Sequence, residues 1–102
     1  MKVMLRQVWK TIPGKRAARE ELVKKEMAAL NRMGEKPVVK KYRPFACEGD
    51  RMHTLVTEVE LPSLAALEAA LDRYASPEMR EILAKCEEIY ESHVMELYMV
   101  ED

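Results

Sequence analysis

The residues with chemistry to offer are few and scattered. His53, Glu96 and Tyr98 are the three with a plausible catalytic role. A histidine titrates near neutrality and can serve as a general base, so His53 on a strand facing a pocket would suit proton transfer. It can equally be a half-exposed residue beside a hairpin. Glu96 and Tyr98 stand two apart in an alternating run, so they share one face of a strand. Together they can orient a polar ligand, or they can line a sheet and bond to Arg6 or Gln7. Glu58, beside Thr57, carries the same ambiguity, and Trp9 reads as a core or interface residue. His93 opens the last strand and reads as exposed, while Tyr42 and Arg43 fall on an edge strand where a second chain can touch them.

Other chemistries are poorly supported. Two histidines 40 positions apart, with no HxH, HExxH or Cys/His cluster, supply no metal ligand set. No GxGxxG, P-loop or Gly-x-Ser-x-Gly is present, so no nucleotide cofactor or hydrolase elbow is expected. Cys47 and Cys86 lack CxxC spacing and read as free thiols, Cys86 on a buried helical stripe.

The elements that must position these residues follow from pattern. Arg51 to Glu60, rich in β-branched residues and free of Gly and Pro, reads as a central strand. Met1 to Lys10 is strand-like with poor alternation, so the faces of Arg6, Gln7 and Trp9 stay open. Ile12-Pro13-Gly14 stops it. Lys15 to Met33 reads as a helix with Val23, Met27 and Leu30 on its apolar face, and its run of alternating charges, Glu26 included, as the solvated one. Gly34 and Pro37 end it. Pro37 to Ala46 is an edge strand, given its leading Pro and interior lysines, and Glu48-Gly49-Asp50 turns it into the central strand.

Ser63 caps a helix carrying Leu64, Leu67, Leu71 and Tyr74, and Ser76-Pro77-Glu78 starts another. That second helix is expected to run through Met79, Ile82, Leu83, Cys86, Ile89 and Tyr90. His93 to Val100 is the last strand. Its Met95, Leu97 and Met99 are expected under the helices, with Val94, Glu96, Tyr98 and Val100 on the other face.

The order β-α-β-β-α-β with right-handed crossovers gives an α+β, ferredoxin-like, four-stranded antiparallel sheet with helices on one face. At 102 residues one domain spanning 1–102 is expected. Such a chain hides only about 60–70% of its unfolded surface, so its core is thin. The uncovered sheet face is too apolar to be left in water, and a two-fold homodimer is the simplest cover. A net charge of −1 with 34% charged residues argues against a nucleic-acid or anionic membrane partner. No stretch approaches the ~18 apolar residues of a membrane span. Arg6 interrupts the opening apolar run too early for a signal peptide, so a cytoplasmic protein is expected.

A strand followed by Ile12-Pro13-Gly14-Lys15 and a charged helix resembles the opening of the dimeric α+β barrel superfamily. The Glu48-Gly49-Asp50 hairpin, Ser63 before Leu64-Ala65-Ala66-Leu67-Glu68, and the Ser76-Pro77-Glu78 break extend the resemblance over nearly the whole chain. Among its branches the chain is most similar to NIPSNAP-like proteins, then to the antibiotic-biosynthesis-monooxygenase-like and EthD-like branches. The resemblance implies a homodimer through the open sheet face. It also implies a small apolar ligand, seated between sheet and helices or inside the barrel. Membership does not by itself imply catalysis. Two functions follow as expectations. One is a small-molecule binding or interaction module without a cofactor. The other is a cofactor-independent monooxygenase or isomerase acting on a small aromatic or polyketide-like substrate, with His53, Glu96 and Tyr98 converging on one pocket.

Overall fold

A computed structural model describes residues 1–34, 38–46 and 53–101. The hairpin turn Glu48-Gly49-Asp50, Cys47, Pro37 and the first residues of the expected central strand lie outside the described residues. The elements run β1 (Val3–Thr11), α1 (Arg16–Arg32), β2 (Val39–Tyr42), β3 (Thr54–Leu61), α2 (Leu64–Tyr74), α3 (Pro77–Ala84), α4 (Cys86–Ile89) and β4 (Tyr90–Met99). The strands form one antiparallel sheet in the order β2-β3-β1-β4. This is the expected ferredoxin-like α+β arrangement, with β3 interior and the lysine-bearing β2 at an edge.

The helix boundaries follow from local chemistry. Ser63 Oγ accepts from the Ala66 amide at 3.1 Å and Ser76 Oγ from the Met79 amide at 3.3 Å. Each satisfies a backbone donor that the first turn leaves unpaired. Pro77 sits at the first helical position, where its missing N–H costs nothing. Gly14, at φ +86°, makes the left-handed turn between β1 and α1 that a side chain would strain.

One helix is shorter than expected. The stripe from Met79 to Tyr90 is not continuous: α3 ends at Ala84, α4 is a single turn, and Tyr90 already lies in β4. The Ile12 amide donates to the Ile89 carbonyl at 2.9 Å and Thr11 pairs with Tyr90. Sheet pairing therefore ends the helix at Ile89 and takes Tyr90 into β4, as tertiary bonding readily overrides a weak helical preference.

Residues directly opposite on paired strands share a face, which resolves β1. Arg19 Nη1 of α1 donates to Thr11 Oγ1, and Tyr90, paired with Thr11, packs against the helical core, so this face lies under the helices. Leu5, Gln7 and Trp9 lie on it, with Leu55, Thr57, Val59, His93, Met95, Leu97 and Met99. Met4, Arg6 and Val8 take the open face, with Glu58, Val56, Val94, Glu96 and Tyr98. The main core is helical: Leu22, Ala29 and Leu30 of α1 against Met79, Ile82 and Ile89.

Two expectations are corrected here. Glu26 does not belong to the solvated face of α1: it lies on the stripe of Leu22, Ala29, Leu30 and Met33, one turn beyond Leu22, and is half-buried. Met95, Leu97 and Met99 do point to the helix side, yet they are 54%, 49% and 65% exposed. The buried residues of the helices gather around α1, α3 and α4, and the layer leaves the edge strand β4 largely uncovered.

Candidate functional site

The polar residues of the sheet and of the helices over it fall into three groups. On the open face, Arg6 pairs with Glu96 and Met4 with Tyr98. Tyr98 Oη donates to Glu96 Oε2 at 2.6 Å. That bond raises the Tyr98 pKa, because losing the proton would set a phenolate against a carboxylate; nearby Arg6 pulls the other way. Arg6 therefore belongs with the expected pair Glu96 and Tyr98. Its Nε is buried with no hydrogen-bond partner among the described residues.

On the helix side, Trp9 and His93 are cross-strand partners whose rings stack at 3.6 Å and 4°. The Tyr90 ring lies 4.9 Å from Trp9, tilted by 42°. His93 Nε2 donates to Gln7 Oε1 at 2.8 Å, which leaves Nδ1 of the neutral ring as an acceptor. Partial burial lowers the His93 pKa. Burial also carries Tyr90 up to about 12, with Cys86 adding to the rise and Arg19 opposing it. Beside this cluster on the same face stand Leu97 and Met95, half-exposed.

Beneath α1, Tyr74 Oη donates to Glu26 Oε1 at 3.1 Å. Burial raises the Glu26 pKa, and the bond from Tyr74 and the charge of Lys41 only partly offset this. Burial and then Glu26 raise the Cys86 thiol, so Cys86 is a poor nucleophile, as its place on the buried stripe implies.

His53 sits elsewhere. It helps to line a cavity of about 120 Å3 at the corner between β1 and α1, with Thr11, Gly14, Arg16, Arg19 and Arg43. Its neighbour Thr54 pairs with Lys10, four positions along β1 from Arg6. At about 3.3 Å per residue that is roughly 13 Å along the strand. The structure thus brings Glu96 and Tyr98 together and leaves His53 apart. A larger groove of about 300 Å3 between α1 and α3 has Leu22 and Ile82 in its floor and Lys25, Arg32, Glu78 and Glu81 at its rim. It contains none of the expected site residues, and Arg32 bonds to Glu78 across it.

No group of three or more His, Cys, Asp or Glu among the described residues can hold a metal ion. Nor is any helix among them long and apolar enough to cross a membrane. The Gln7-Trp9-His93 cluster escapes sequence reading because β1 alternates poorly. The one available signal was that Trp9 and His93 each occur on an expected strand.

No protein-family model matches the chain, and no curated protein matches it. Solved structures do. A NIPSNAP family protein from Agrobacterium tumefaciens superposes with a TM-score of 0.77 at 12% identity, covering 99% of this chain and 87% of that one. The fold is NIPSNAP-like. An uncharacterized NIPSNAP-like domain protein from Burkholderia xenovorans gives a TM-score of 0.73 at 11% identity, over 98% and 85% of the two chains. Rv0793 from Mycobacterium tuberculosis gives 0.72 at 17%, over 100% and 97%. At these identities the NIPSNAP-like likeness is one of fold.

Proposed function

We propose that the chain is a cytoplasmic, homodimeric NIPSNAP-like α+β barrel protein that binds a small, largely apolar molecule. The observation that carries this is β4. It holds Val94, Met95, Leu97, Tyr98 and Met99 at 42–65% exposure, on both faces. Soluble chains rarely expose that much contiguous apolar surface without using it. Two copies joined through their open faces would cover Val94 and Tyr98. The helix-side residues Met95 and Leu97, next to the Gln7–His93 bond and Trp9, offer an apolar seat with a few fixed polar groups, the usual make-up of a ligand site.

The alternative is a cofactor-independent monooxygenase or isomerase using His53, Glu96 and Tyr98. Binding is preferred because His53 stands apart from the other two.

Native mass spectrometry of the purified protein tests the proposal. A dimer carrying a reproducible small adduct, lost in Trp9→Ala, supports both parts. A bare monomer at all concentrations overturns the homodimer.

A further inference from the structure

Four charged residues cross the open face in a single row. Lys40 of β2 pairs with Glu58 of β3, Glu58 with Arg6 of β1, and Arg6 with Glu96 of β4. The row reads plus, minus, plus, minus across the whole sheet. Two positions along lies a second row, Tyr42, Val56, Val8 and Val94, which is wholly apolar apart from one hydroxyl.

The alternation has a geometric consequence. Let two copies pack open face to open face about a two-fold axis parallel to the strands and midway between β3 and β1. The axis exchanges β1 with β3 and β2 with β4. Arg6 then faces the partner's Glu58, and Lys40 faces the partner's Glu96, so all four charges of each copy meet opposite charge. The apolar rows also meet, Val8 over the partner's Val56 and Tyr42 over the partner's Val94. A two-fold axis along the row does the reverse: Arg6 meets the partner's Arg6 and Glu58 the partner's Glu58.

Sheet twist does not undo the match. Stacked sheets cross at about 30°, and strands are about 4.8 Å apart. The Arg6 and Glu58 positions lie only about 2.4 Å from the axis and separate by about 1 Å. The outer Lys40 and Glu96 positions separate by about 4 Å, within reach of a lysine side chain.

We infer that the open sheet face takes a second copy of this chain in one register, with Arg6 opposite the partner's Glu58. The inference rests on the homodimer proposed above and specifies how it is built. Apolar contact supplies the affinity. The charged row selects the register, because desolvated ion pairs add little net energy while like charges set together cost much.

The test is a charge exchange read by sedimentation velocity. Arg6→Glu alone sets Glu against the partner's Glu58, and Glu58→Arg alone sets Arg against the partner's Arg6. Each variant by itself is expected to dimerise at least about tenfold more weakly than the parent. Mixed in equal amounts, the two variants restore both pairings and are expected to form a heterodimer of near-parental affinity. Circular dichroism of each variant monitors folding. If either unfolds, Arg6→Gln and Glu58→Gln replace them, each expected to weaken the dimer severalfold. A parent dimer whose affinity single reversals leave unchanged, or whose mixed variants fail to recombine, overturns the register while the homodimer stands. A parent that is monomeric throughout overturns both.

Discussion

Trp9 and His93 lie flat against one another, 3.6 Å between ring centres and 4° from parallel, across the β1–β4 ladder. The indole shields one face of the imidazole, and Gln7 fixes its edge. The histidine is therefore held in one orientation beside the exposed apolar strip of β4.

His93 should titrate below 6.5, the ordinary value for histidine. Because its folded-state pKa is depressed, the unfolded chain takes the proton more readily. The stability that His93 contributes is present above about pH 6.5 and is lost as pH falls through the folded-state value. NMR titration of the ring should show Trp9→Ala moving the midpoint back up toward 6.5; an unmoved midpoint would assign the shift to other neighbours.

Glu26 should behave in the opposite sense. Its folded-state pKa is raised, so the stability it contributes is present below its unfolded value of 4.5 and is lost as pH rises through the folded value. Glu26→Gln keeps an acceptor for Tyr74 and removes the half-buried charge. The variant is expected to be more stable than the parent at pH 7, with the gain shrinking toward pH 4, measured by urea unfolding at both pH values.

Val94→Glu should leave the fold intact, because the side chain is 53% exposed in the single chain. On the proposed interface it sets a carboxylate into the apolar row. Sedimentation should show the dimer weakened by a hundredfold or thereabouts, on the order of 3 kcal/mol for an unpaired charge at a buried site. A dimer of parental strength would remove the open face as the interface.

Met79→Ala should cost about 2–5 kcal/mol, the usual range for emptying a fully buried methionine site. Met79 is 0% exposed at the centre of the α1–α3–α4 cluster. Thermal unfolding measures the loss directly.

Ligand binding can be read from one residue. Trp9 is the only tryptophan, so a small aromatic compound entering beside Met95 and Leu97 should change its emission. Leu97→Asp should abolish that change without altering the far-ultraviolet spectrum.

Local chemistry determined a good deal by itself. Ser63 and Ser76 each had a helix to cap, Pro77 a first turn to occupy, and Gly14 a left-handed turn to make. Period-two and period-3.6 patterns then ordered the elements, because both signals act within a few residues. Contacts across the chain decided the rest. The bonds at Thr11 and Ile12 ended the helical stripe at Ile89 and drew Tyr90 into β4, although the apolar pattern continued through it. Packing turned Glu26 inward beside Tyr74, where its charged neighbours in sequence suggested water. Pairing on both flanks of β1 sent Arg6 to one face and Gln7 and Trp9 to the other, although the strand's own alternation was ambiguous. The sequence holds Arg6, Lys40, Glu58 and Glu96 in four separate strands. Only strand register, set by hydrogen bonds between those segments, lines them up as one alternating row.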